Sequence, residues 1–216
     1  MTPATETFKA GAARALADAK LAKALAGLPG GLVAQRTAAK ARVPEFEALR
    51  GAARDIRDHT LAHLDLYLET FAAKAEAAGT RIHWATDASE ARTIIAHLAL
   101  QRGARLVAKG KSMVSEEIGL NAYLESLGME VFESDPGESP LQIRGETPSH
   151  IIAPAIHLSQ DQVEADFRRY HAHLAPDRDL TTPEQLVAEA RAVLRERFLA
   201  ADIGITGANF LVAETG

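Results

Sequence analysis

Between residues 81 and 133 the hydrophobic period of the chain switches back and forth between that of a strand and that of a helix, and this alternation limits the fold more than any other feature. Arg81-Ile82-His83-Trp84-Ala85 reads as a strand. Residues 87–102 read as a helix capped by Asp87 or Ser89, and residues 104–108, after Gly103, as a second strand. Ser115-Glu116-Glu117 opens another helix that closes near Leu127-Gly128, and residues 129–133 give a third strand. Strands that alternate with helices of this length connect by right-handed crossovers, so they predict a parallel sheet covered on both faces. The expected fold class is α/β and doubly wound, with a parallel-rich sheet and flanking helices.

The flanks of this region are helical. Residues 8–28 are rich in alanine and leucine and stop at Pro29-Gly30-Gly31, where proline and two glycines end helical propagation. From about residue 44 to 78, Phe46, Leu49, Ala53, Ile56, Leu64, Tyr67 and Phe71 recur at three- and four-residue steps, and Gly79 suits the position just past a helix. Residues 1–78 are therefore expected to form an N-terminal helical arm, and residues 79–216 an α/β domain. Two isolated helices bury too little apolar area to offset chain entropy, so the arm is expected to pack on the rest or on a partner. After a turn-rich loop over 134–150, helices are predicted at 161–174 and 183–201. For the second of these, Thr182 is the expected N-cap, Pro183 the first helical residue and Gln185 the capping-box partner.

Residues 202–216 read as a strand, a tight turn and a second strand cut short, which predicts a longer native polypeptide with an incomplete domain at this end. A formal net charge of −5 argues against nucleic-acid binding, which needs a basic surface. No run approaches the roughly 18 apolar residues of a membrane span, and the N-terminus lacks signal-peptide regions, so a cytoplasmic location is expected. The chain has no cysteine. That excludes a thiol nucleophile or a cysteine-ligated cluster within these residues.

Three groups of residues can carry chemistry. Lys109-Gly110-Lys111-Ser112 lies between the carboxyl end of a strand and the start of a helix, where open α/β sheets bind ligands and a helix N-terminus with nearby lysines attracts an anion. The plainer alternative is solvated lysines, with Ser112 or Ser115 serving only as a cap. Thr206 and Asn209 flank Gly207 at a strand end, which permits either close approach to a ligand or an ordinary turn. Histidines form the third group. His59 and His63 share one side of a helix with Asp65 nearby, but they flank the apolar stripe and no H-E-x-x-H is present, so no metal site is expected. His150 and His157 bracket a proline-bounded apolar segment, which suits a structural hydrogen bond, a proton donor or an anion ligand.

Taken in order, several segments resemble the LUD domain of the lactate utilization protein B family: Arg57 through Leu68, His83-Trp84-Ala85, Lys111 through Ile118, Pro148 through His157, and Gly204-Ile205-Thr206-Gly207-Ala208-Asn209-Phe210 with Glu214-Thr215-Gly216. The resemblance covers nearly the whole chain. It implies a fold similar to the ribose-5-phosphate isomerase and CoA-transferase group. It also implies a cytoplasmic iron–sulfur subunit that acts with other subunits of a complex oxidising L-lactate to pyruvate. The [4Fe–4S] clusters are then expected in a ferredoxin-like segment beyond these residues, with no cofactor within them. On this reading the domain binds a small anionic ligand and docks, with Lys109, Lys111, Ser112, Thr206, Gly207 and Asn209 as ligand-binding candidates. The alternative is a CoA-transferase- or isomerase-like enzyme acting on an anionic acyl-CoA or sugar phosphate, with Glu214 or His150 as catalytic candidates. A purely structural subunit is the third reading. The chain departs from the family pattern at Pro136 and Ser139, and at Gly110, where a serine is more familiar.

Overall fold

The computed structural model describes residues 4–146, 148–149 and 153–216. By its internal packing the chain divides into two compact units, one built from the chain up to Gly27 with Ile95–Gly207, the other from Leu28–Ile94 with Ala208–Gly216.

The first unit carries the sheet. Its helices α1 (Ala4–Ala17) and α2 (Ala19–Ala26) meet at Asp18, whose carboxylate accepts from the backbone N–H groups of Lys20 and Leu21 and so starts α2. The second unit is helical. A π-turn over Pro29–Val33 leads into α3 (Ala34–Ala41), followed by α4 (Phe46–Ala62) and α5 (Leu64–Ala77). The helix expected over 44–78 is broken at His63, whose backbone (φ −128°, ψ 37°) leaves helical geometry for one residue. Residues 81–85 are irregular and mostly exposed rather than a strand. A strand needs a neighbour to share its ladder, and among the described residues of this unit none is a strand. The second strand expected after residue 209 is likewise absent: residues 210–216 are irregular and end in a turn, with Gly216 against the backbone of Lys74 and Ala75 in α5.

The helix α6 (Ala88–Gln101) passes from the second unit into the first, and the α/β pattern follows it. In chain order come β1 (Leu106–Lys109), α7 (Met113–Glu117), α8 (Leu120–Ser126), β2 (Glu130–Glu133), α9 (Ser139–Arg144), α10 (Gln160–Tyr170), α11 (Pro183–Ala200) and β3 (Ile203–Ile205). The three strands form an all-parallel sheet in the order β2-β1-β3. The single helix expected after Ser115 is two helices, because Gly119 adopts a left-handed conformation (φ 65°) that a side chain would strain. By contrast α11 starts as its sequence predicts, with Thr182 and Gln185 capping each other and Pro183 in the first turn.

Strand alternation assigns the two faces. Val107 and Val131 point to one side, where Ala96 and Ala99 of α6 and Leu120 and Leu124 of α8 cover them. Ala108 and Phe132 point to the other, beneath Phe167 of α10 and Leu186, Ala190 and Leu194 of α11. Each large side chain buried this way contributes about 1.5–3 kcal/mol, so the two layers hold the sheet between them. The outer edge of β2 is closed by one side chain: the Gln142 amide donates to Val131 O at 2.7 Å and accepts from Glu133 N at 2.8 Å. A primary amide presents the same donor and acceptor as a peptide group, so Gln142 stands in for a missing strand.

Candidate functional site

The same alternation that sends Val107 and Val131 toward α6 and α8 sends the next-but-one residues, Lys109 and Glu133, to the same face at the carboxyl ends of their strands. They are register partners in adjacent strands. Lys109 is completely buried, and its Nζ lies 2.9 Å from Glu133 Oε1. The approach is off the hydrogen-bonding direction, so the two groups are paired by charge while the ammonium keeps donors without acceptors. Asn121, on the first turn of α8, donates from Nδ2 to the same Glu133 Oε1 at 2.8 Å. Glu133 Oε2, Asn121 Oδ1 and Glu138 Oε2 are buried with no hydrogen-bond partner.

Glu138 reaches the site from the turn before α9. Asp135 shapes that turn, its Oδ1 accepting from the backbone N–H groups of Gly137 (2.8 Å) and Glu138 (3.1 Å). Burial, reinforced by the Glu133 charge and opposed by Lys109, pushes the Glu138 carboxyl up to about 7. Glu133 and Glu138, together with Asn121 and the ends of α7 and α8, line a pocket of about 700 Å³. Two neighbouring carboxyl groups with a buried cation behind them can hold a proton near neutral pH and accept hydrogen bonds from a ligand.

The residues singled out in the sequence have separate placements. Lys109 is in the site, but its charge faces Glu133. Ser112 caps α7, accepting from Ser115 N at 3.3 Å, which is the plain alternative for that residue. Lys111 is half-buried on a second, open pocket with Asp135, Pro136 and Pro154, and makes no ion pair among the described residues. Thr206 is exposed beside Gly110, where a Cβ would come within 3.3 Å of Thr206 Oγ1; glycine suits this close approach of two strand ends. Gly207 (φ 21°) follows in the turn. Asn209 and Glu214 are exposed and belong to the second unit. His150 lies outside the described residues. His157 is held at both ring nitrogens, by Ser149 Oγ at 2.7 Å and Glu146 Oε2 at 2.8 Å, and its hydrogen bond, with a further one from Arg144, keeps the Glu146 carboxyl below the usual range. His59 and His63 are in tilted ring contact, with centroids 4.6 Å apart and planes 54° from parallel, and both are exposed.

Glu133, Glu138 and Asn121 were not among the sequence candidates. One signal pointed to the first: Val107-Ala108-Lys109 and Val131-Phe132-Glu133 are apolar strand runs ending in opposite charges at the same position.

Fold and site together define a doubly covered parallel α/β protein with a buried lysine–glutamate pair at its strand ends. The LUD domain model matches residues 68–216, and the chain belongs to that family. The chain is 40% identical over 212 residues to "Lactate utilization protein B" of Bacillus pumilus, and 40% identical over 212 residues to the protein of that name from Macrococcus caseolyticus. It is 38% identical over 213 residues to the one from Bacillus subtilis. Each match covers 98% of this chain and 44% of the relative, so the chain spans less than half the length of the curated relatives it matches. No solved structure matches it. Among the described residues no helix is long and apolar enough to cross a membrane.

Proposed function

We propose that this chain is the LUD portion of a cytoplasmic subunit that works with partner subunits to oxidise L-lactate to pyruvate, and that it binds ligand and docks rather than turning over lactate itself. The observation that carries this reading is 40% identity over 98% of the chain to proteins named for lactate utilization. A cysteine-ligated iron–sulfur cluster does not fit these residues, because none of the 216 is cysteine. Electron transfer through [4Fe–4S] clusters is therefore assigned to residues outside them. The pocket over Lys109, Glu133 and Glu138 is the site through which the domain acts. For a small anionic ligand, Lys111 is the candidate lysine that makes no ion pair among the described residues, since Lys109 is engaged by Glu133.

A second reading, an isomerase- or CoA-transferase-like enzyme, draws its support from the Glu133–Glu138 pair, which has the proton-holding character of an acid–base site. One experiment separates the two. Deleting the gene in its own host is expected to abolish growth on L-lactate while leaving growth on pyruvate intact. Normal growth on L-lactate would overturn the lactate reading, and sugar-phosphate or acyl-CoA turnover by the purified protein would establish the second.

A further inference from the structure

We infer that the pocket at the carboxyl ends of β1 and β2 is a binding site for a small organic cation, an ammonium or guanidinium compound that fills it with N–H donors. This goes beyond the lactate reading and does not depend on it.

The acceptors of the pocket outnumber the donors that reach them. Glu133 is 7% exposed and Glu138 3%, and both line the pocket. Each carries a carboxylate oxygen without a donor, and Asn121, which donates one N–H to Glu133, carries an amide oxygen without one. A buried acceptor left unsatisfied costs about 1–3 kcal/mol, more when charged, so three in one place are a standing demand for donors. Lys109 answers it in charge only, because its own N–H donors are left without acceptors. It is fully buried behind the pocket, is not part of the lining, and meets only Glu133 Oε1.

Charge then selects among donors. The lining holds six glutamates, Glu116, Glu117, Glu125, Glu133, Glu138 and Glu146, and among the described residues no lysine, arginine or histidine. Glu146 is already matched by Arg144 and His157, and Glu133 by Lys109. Glu116, Glu117, Glu125 and Glu138 make no salt bridge among the described residues. An uncharged polyol would supply donors but leave this field uncompensated, and an anion would be repelled. A cation with several N–H groups satisfies both requirements. Among the described residues no three acidic, histidine or cysteine side chains are placed to hold a metal ion, which directs the inference to an organic cation. The volume of about 700 Å³ suits a whole small molecule rather than the tip of one side chain.

The test is calorimetric titration of the intact native protein with agmatine, which carries a guanidinium and an ammonium, and with ribitol and inorganic phosphate as comparisons. Salt at about 0.15 M screens weak surface attraction. The inference predicts one-to-one saturation by agmatine with Kd below about 1 mM, and no saturable heat from ribitol or phosphate. Glu116→Gln should weaken agmatine at least about tenfold, or 1.4 kcal/mol, with the melting temperature unchanged, and Asn121→Ala should weaken it as much while lowering the melting temperature by a few degrees, because Glu133 loses a donor. Absence of agmatine binding, ribitol binding as tightly as agmatine, or agmatine binding indifferent to both substitutions would each overturn it. Growth on L-lactate plays no part in this readout, so the two proposals can fail separately.

Discussion

Lys109→Met is expected to destabilise the protein by about 3–5 kcal/mol, the cost of leaving a buried carboxylate without its counter-charge. Methionine keeps most of the lysine's length and apolar volume, so little of this loss arises from a cavity. What changes is the partner of Glu133, which is 7% exposed and keeps only the Asn121 amide once the ammonium is gone. A loss of that size is a large share of the roughly 5–15 kcal/mol that holds a domain together. Urea denaturation followed by circular dichroism measures it. Adding Glu133→Gln to Lys109→Met should recover more than half the loss, since the double variant buries no unmatched charge. A single-variant loss under about 1 kcal/mol, or a double variant no better than the single, would show that the pair does not anchor the strand ends.

The second large effect concerns Glu138 and has the opposite sign from most carboxylates. Its native carboxyl is held at about 7, against an ordinary value of 4.5, by burial first and by the Glu133 charge second. Between those two values the folded protein keeps a proton that the unfolded chain has released, so stability falls as pH rises through that window. Below 4.5 the group is neutral in both states and contributes nothing. Above 7 the folded protein bears a cost of about 2 kcal/mol, allowing for solvent screening of the full shift. Glu138→Gln keeps the shape of the neutral form and cannot ionise. The variant should melt about 5 °C above the parent at pH 8 and within about a degree of it at pH 4. Equal melting temperatures at pH 8 would mean that Glu138 is solvated in the folded protein.

How much of this was legible in the sequence depends on how local the physics is. The start of α11 was readable because Thr182, Pro183 and Gln185 act within one turn, and β1, β2 and β3 were readable because short apolar runs bounded by glycine have few other fates. The break at His63 was not, since nothing in Leu61-Ala62-His63-Leu64 lowers helix propensity enough to signal it. The strand at 81–85 misled because Ile82 and Trp84 look like one face of a strand, yet Trp84 is exposed and the segment has no ladder to join.

Site residues followed the same rule. Ser112 was legible as a cap because its partner Ser115 is three residues away. The Lys109–Glu133 pair left one signal, the two apolar runs that end in opposite charges, but parallel register sets which residue of β2 lies beside Lys109, and that signal does not encode the register. Glu138 and Asn121 were harder still. They reach the pocket only because α8 and the turn before α9 pack where they do, and each is an ordinary polar residue of a helix end or a loop in the sequence.

The measurement that bears most directly on the central claim, that this LUD domain serves lactate oxidation through its strand-end pocket, is growth on L-lactate of the deletion strain carrying the intact gene with Asn121→Ala. Asn121 is half-buried, touches the pocket and makes one side-chain hydrogen bond, whose loss costs about 1–3 kcal/mol, short of the roughly 5–15 kcal/mol that holds a domain together, so the variant is expected to fold. The account predicts that it fails to restore growth on L-lactate while the parental gene restores it. Growth at the parental rate, with the variant protein present in normal amount, would contradict it.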